Sequence, residues 1–307
     1  MKCKALFTIL FFIVQISWAN TANAKAEKID NNVNVSAGII ERYRFTSNYV
    51  DDRNVDIWLP DGYTSDNKYA VLYMHDGQAL YDASRMWNAK EWNVDATVDK
   101  LIREGKIKDV IVVGIFNNDK KRHIEYFPQK AIDYIAEPEH KKVIDLMPGG
   151  PLADNYLKFI IKELKPFIDK TYSTKANREN TFIAGSSMGG LISMYAICEY
   201  PNIFSGAACL STHWIGTFDN NKEIPAAFNE YLKKHLPTAN NHKIYFDCGT
   251  VGLDAYYPEY QKSVDEIFRQ AGYDDNSFMS LVFKENDHNE TYWSERLHIP
   301  LTFLLKK

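Results

Sequence analysis

Five short runs of mostly apolar residues, YAVLYMHDG, DVIVVGIFN, NTFIAGSS, GAACLSTH and KIYFDCGT, punctuate the chain between residues 69 and 250. A strand with one wet face alternates polar and apolar side chains, whereas consecutive apolar positions require cover on both faces. Helical periodicity fills the intervals: NVDATVDKLIREG, LADNYLKFIIKELKPFIDK, GGLISMYAICEYP and IPAAFNEYLKKHL, with PEYQKSVDEIFRQAG and TYWSERLHIPLTFLLKK further on. Strands that alternate with helices are joined by crossovers, so the pattern predicts an α/β protein with a mostly parallel central sheet and helices on both faces. Upstream, IIERYRFTS and RNVDIWLP alternate as edge or antiparallel strands do, and SFMSLVFKE adds a late strand.

The first 24 residues stand apart. Lys2 and Lys4 precede the apolar run ALFTILFFIVQISWA, and Ala22-Asn23-Ala24 is a small-residue cleavage site. These are the three regions of a secretory signal peptide, and the apolar run is too short to span a bilayer. The expectation is cleavage after Ala24, a periplasmic or secreted product, and no membrane contact once the signal is gone. Residues 25–307 show no linker or repeat and read as one domain, with a polar, loose start over 25–35. Residues 117–150 are the least regular stretch, too long for an ordinary connection, and follow a strand C-terminus where function concentrates. With 36 basic against 40 acidic residues and no basic cluster, the chain lacks the footprint of a nucleic-acid binder. The three cysteines after the signal, Cys198, Cys209 and Cys248, sit in apolar surroundings and read as small buried hydrophobes.

The run TFIA leads into GSSMG and then into the helical LISMYAIC. In that setting G-x-S-x-G is a strained strand-to-helix turn that lifts Ser187 into reach, with glycines where the backbone packs closely. The helix that follows points its N-terminal amides at the serine and favours negative charge there. A serine hydroxyl needs a base, and the base an acid, in the chain order serine, acid, histidine. Of the five downstream histidines, His288 lies on the loop past the last strand, while His242 precedes its strand and His235 and His298 fall in helical patterns. His213 is at the right edge but ahead of every candidate acid, a place that lines the pocket. Asp254, past KIYFDC, is the candidate acid; Asp247 lies within the strand and reads as structural. The Met188 amide and, after YAVLYMHDG, the Gln78 amide are the candidate oxyanion donors. Gly77 would let the backbone there approach the substrate. His75 and Asp76 buttress this loop or line the substrate site; with no third ligand at suitable spacing, no metal is expected.

Taken together, MHDGQALYD, VIVVGIFN, RHIEYFP, FIAGSSMGGLISMYA, FDCGTVGLDAYY and DHNETYW resemble the putative-esterase group of α/β hydrolases. That group includes feruloyl and acetyl-xylan esterases, enterochelin-type siderophore esterases, S-formylglutathione hydrolases and mycolyltransferases. The resemblance covers about residues 36 to 307 and implies an α/β-hydrolase fold, Ser187, Asp254 and His288 as the triad, Gln78 and Met188 as oxyanion hole, and no cofactor. Arg122 and Glu125 match the segment that lines the family's active-site mouth. Trp214, Trp87 and Trp92 stand where aromatics could stack on a sugar or an aryl acyl group, or fill the core. The expected partner is a small-molecule or polysaccharide ester. A feruloyl or acetyl ester, a siderophore lactone, and acyl transfer from the same acyl-enzyme all fit, and a non-catalytic binding protein is the reading from another class.

Overall fold

The computed structural model describes residues 25–307; the expected signal peptide, residues 1–24, lies outside the described residues. Nine strands form one sheet: β1 (Lys25–Ile29), β2 (Ile39–Thr46), β3 (Arg53–Leu59), β4 (Ala70–His75), β5 (Val110–Ile115), β6 (Thr181–Ser186), β7 (Gly206–Leu210), β8 (Lys243–Cys248) and β9 (Phe278–Val282). Their order is β1-β2-β3-β5-β4-β6-β7-β8-β9. The first three run antiparallel to their neighbours, and β4 to β9 are parallel.

Helices cover both faces: α1 (Val94–Arg103), α2 (Arg122–Tyr126), α3 (Glu139–Asp145), α4 (Ala153–Phe159), α5 (Lys165–Thr171), α6 (Met188–Glu199), α7 (Glu223–His235), α8 (Tyr257–Gln270), α9 (Glu290–Arg296) and α10 (His298–Leu305). Because successive strand residues point to opposite faces, each central strand feeds two cores. In β4, Ala70, Leu72 and Met74 join the layer with α1, α9 and α10, while Val71 and Tyr73 join the layer with α4 to α8. All six residues of β4 and of β5 are buried, which is why their sequences do not alternate. Truncating one such side chain, as in Leu72→Ala, costs about 2–5 kcal/mol.

Two expectations change here. Residues 25–29 form β1, paired in register with β2 from Lys25 opposite Thr46 to Ile29 opposite Arg42. An edge strand with an exposed face can be polar, so composition conceals it. Residues 117–150 hold α2, a 3-10 turn at Gln129–Tyr134 and α3. This segment is long because it is a helical insertion.

Candidate active site

The elbow begins in β6. A Cβ on Gly185 would stand 2.7 Å from the Gly189 carbonyl oxygen, and one on Gly190 would stand 2.9 Å from Thr212 Oγ1. Glycine at 185 lets the first turn of α6 press onto the strand it follows, and glycine at 190 lets that turn press onto the loop after β7. Ser187 links the two with φ 57° and ψ −123°, a conformation that costs a non-glycine residue about 1–3 kcal/mol. Its amide donates to Leu210 O at 2.9 Å, and its carbonyl accepts from the amides of Gly190, Leu191 and His213 at 3.0, 3.2 and 3.2 Å. The serine is thereby tied to the loop after β7.

That loop leads to the candidate acid, Asp254. Ser211 Oγ donates to Asp254 Oδ2 at 2.6 Å, the Gly249 amide donates to the same oxygen at 2.6 Å, and His288 Nδ1 lies 2.5 Å from Oδ1. Asp254 is fully buried. Burial pushes its carboxyl up, but the bonds from His288, Ser211 and Gly249 outweigh that and hold it below the usual carboxylate range. An ionised Asp254 only accepts, so Nδ1 carries the ring proton and, in the neutral imidazole, Nε2 keeps its lone pair.

The loops after β8 and β9 are fastened to each other. Thr250 and Val251 donate to Asn286 O at 3.0 and 3.1 Å, and a Cβ on Gly249 would meet that oxygen at 2.0 Å. Asp287 accepts from the His288 amide at 2.7 Å and so shapes the loop, leaving the imidazole to Asp254. Two rings hold the imidazole edge-on: Tyr257 at 5.7 Å and Trp293 at 5.1 Å. The Tyr257 hydroxyl lies 2.6 Å from His213 Nδ1, while His213 Nε2 meets Thr217 O at 2.9 Å. Burial, with His288 nearby, pulls the His213 pKa down to about 3, so it stays neutral.

The candidate oxyanion loop is a single 3-10 turn, Gly77–Ala79, entered through Asp76 at φ 56°. The bond that closes it runs from the Ala79 amide to Asp76 O at 2.9 Å and does not use the Gln78 amide. Gly77 also has a steric reason of its own: a Cβ there would lie 2.5 Å from the Gly114 backbone in β5. Asp76 receives Arg122 Nε and Nη2 at 2.7 Å each and Asn117 Nδ2 at 2.7 Å. Burial pushes its carboxyl up, and Arg122 more than reverses this. A Cβ on Gly189 would sit 3.3 Å from Asp76 Oδ2, so the carboxylate backs onto the first turn of α6. His75 is buried beneath, 2.8 Å from the Tyr156 hydroxyl, and burial lowers its pKa to about 3.

Two sequence expectations are corrected. Glu125 is fully buried and paired with Arg53 at 2.8 and 3.0 Å, so it offers nothing to a substrate. Trp214 is 1% exposed, with its indole N–H on Gln261 at 2.9 Å and its ring against Phe246. Trp92 is likewise buried, 5.4 Å from Trp293, whereas Trp87 is 92% exposed. Arg122 remains partly exposed at 27% although Asp76 holds it. Ser211, Tyr257 and Trp293, which lie in the strand and motif segments but were given no role by sequence, complete the surroundings of Asp254 and His288. Cys198, Cys209 and Cys248 are unpaired and buried. Among the described residues, no three His, Cys, Asp or Glu side chains converge as a metal site would require.

Comparison with known proteins places this geometry in context. The family model described as "Putative esterase" matches residues 47–303. An endo-1,4-beta-xylanase/feruloyl esterase of Xylanibacter ruminicola is 29% identical over 167 residues, covering 52% of this chain and 19% of that protein. Among solved structures, an IroE-like serine hydrolase from Shewanella oneidensis superposes with a TM-score of 0.65 at 21% identity, over 87% of this chain and 80% of the other. A CE1 ferulic acid esterase from Anaeromyces mucronatus, solved in complex with ferulic acid, gives a TM-score of 0.61 at 19% identity, over 90% and 95%. The sheet and its flanking helices are those of the α/β-hydrolase fold.

Proposed function

The chain belongs to the putative esterase family, and we propose that this esterase is an exported serine carboxylic-ester hydrolase acting on feruloyl or acetyl esters of polysaccharides. Ser187 is the nucleophile, His288 the general base and Asp254 the acid that orients it. Ser187 Oγ attacks the ester carbonyl as His288 Nε2 takes its proton. The tetrahedral oxyanion is met by the Met188 amide at the start of α6 and the Gln78 amide of the Gly77–Ala79 turn. His288 returns the proton to the leaving alcohol, and the acyl-enzyme forms. Water, deprotonated by His288, then attacks the acyl carbon; as the bond from that carbon to Ser187 Oγ breaks, His288 gives the proton to Oγ and the acid leaves. No cofactor is required.

The observation that carries this reading is the pair of constraints on the two reacting side chains. Ser187 is held at a strained positive φ, and the fully buried Asp254 fixes the Nδ1 proton of His288 at 2.5 Å. The polysaccharide ester is favoured by the likeness to proteins named feruloyl esterases and by the N-terminal signal pattern. Partly exposed Arg122, beside the oxyanion loop, is the residue of the site best placed to meet a substrate carboxylate or phenolate.

The test is an ester panel of methyl ferulate, acetylated xylan, a triscatecholate lactone and short p-nitrophenyl esters, run with Ser187→Ala alongside. Hydrolysis of the first two by the wild type, abolished in the variant, is the expected result. Preference for the lactone would replace the substrate assignment, and an alcohol acceptor that collects the acyl group would make the chain a transferase. Wild-type rates from Ser187→Ala would overturn the mechanism. N-terminal sequencing of the exported protein is expected to begin at Lys25.

A further inference from the structure

Ser211 is fully buried, follows β7 with φ 41°, and its hydroxyl has three partners. Two of them, Trp293 Nε1 and Arg296 Nη2, each 2.9 Å away, are groups that can only donate. Oγ therefore accepts from both, and its single proton has one destination, Asp254 Oδ2 at 2.6 Å. A serine hydroxyl ordinarily rotates to suit its surroundings; this one has its direction imposed from behind.

The imposing groups are themselves immobilised. Arg296 is 3% exposed and also donates to Asp247 Oδ1 at 2.9 Å and Asn286 Oδ1 at 3.1 Å, with Phe283 under its guanidinium at 5.0 Å. Asp247 is fully buried and accepts from the Tyr245 hydroxyl at 2.8 Å and the Ser211 amide at 3.1 Å. Ser211 is thus bonded through its amide to Asp247 and through its hydroxyl to Asp254. Two residues later the same loop gives the His213 amide to the Ser187 carbonyl.

We propose that Ser211, with its hydroxyl aimed by Arg296 and Trp293, is a positioning residue that fixes the Asp254 carboxylate relative to His288. The assignment rests on the triad reading given above. Fixing the carboxylate matters because Oδ1 must meet Nδ1 while Oδ2 is held; without Ser211 the Gly249 amide alone would hold Oδ2, and a carboxylate with one fixed partner fewer would loosen the imidazole. The hydroxyl acts through Asp254 and touches no reacting atom. Its loss is therefore expected in kcat with little change in KM.

Ser211→Ala and Ser211→Gly, compared with wild type on a p-nitrophenyl ester, test this. A hydrogen bond to a charged group predicts a fall in kcat of roughly tenfold to a hundredfold, with KM within about twofold. The second readout needs no substrate: the downfield proton NMR resonance of the His288 Nδ1–H bonded to Asp254 is expected to shift or broaden in both variants. Glycine accepts the positive φ of residue 211 and carries the test if the alanine variant loses its native circular dichroism. Wild-type kcat together with an unmoved resonance would overturn the proposal. A wild-type protein that cleaves no ester, while the resonance still responds to Ser211→Ala, would instead defeat the serine-hydrolase reading and leave the positioning role standing.

Discussion

His288 Nδ1 and Asp254 Oδ1 lie 2.5 Å apart across the gap between the loops that follow β9 and β8, and the carboxylate of the pair is fully buried. Asp254→Asn would put an amide where an acceptor of fixed charge is needed and allow the wrong imidazole tautomer. Loss of kcat by about 10⁴-fold is expected, with the fold retained. Steady-state kinetics beside a melting curve check it; a variant within tenfold of wild type would remove Asp254 from the role of acid.

Ser187 stores strain that the proposed nucleophilic role would use. Replacing it with glycine removes the Cβ penalty at φ 57° at some cost in chain entropy, whereas alanine keeps the penalty. Ser187→Gly is therefore expected to melt higher than Ser187→Ala, by a few degrees for about 1 kcal/mol, and both are expected to be inactive. Equal melting temperatures would mean that the strain relieved is no larger than the chain-entropy cost of glycine, about 0.5–1 kcal/mol.

Glu125 provides a case where structure and catalysis separate. Glu125→Gln leaves the Arg53 side chain, 2% exposed, without its carboxylate, and breaking a buried pair this way costs about 3–5 kcal/mol. A lower unfolding midpoint with an unchanged KM is expected. A raised KM at unchanged stability would return Glu125 to the substrate site.

Asp254 and Asp76 both have carboxyls held below their usual range, and each is pushed up by burial before its donors win. A carboxyl whose folded pKa lies below the unfolded value of about 3.9 adds stability above that value. The contribution is lost as pH falls through the folded pKa. Melting temperatures are therefore expected to decline below about pH 5, and Asp76→Asn should give a flatter acid limb than wild type. An identical limb would show that Asp76 gains nothing from Arg122 on folding.

The sheet was legible because its central strands are apolar at nearly every position, and the pairing of Asp254 with His288 was expected from the chain order that the resemblance implies. Other features were hidden by distance along the chain. Glu125 and Arg53 are 72 residues apart and Ser211 and Arg296 are 85 apart, so only the folded sheet reveals them as partners. Trp214 alone reads more readily as core than as platform, and Gln261 and Phe246 around it show that it is core. Edge strand β1 escaped because its pairing lies in the backbone and its side chains KAEKI are half polar.

The loops bearing Asp254 and His288 share bonds at Asn286, and the loop bearing Ser211 holds both the acid and the serine. Asp254, His288 and Ser187 are therefore anchored to one another, and the helical insertion of residues 117–150 meets this frame through the Arg122 clamp on Asp76 and the His123 contact with Gly216 O. Within that insertion, α2 is fixed by the Glu125–Arg53 pair and by buried Ile124, Tyr126 and Phe127, which leaves the exposed face of α3 as the part free to change its surface without disturbing the site. Diversification by change of a peripheral surface around a constant engine is open to a chain built this way.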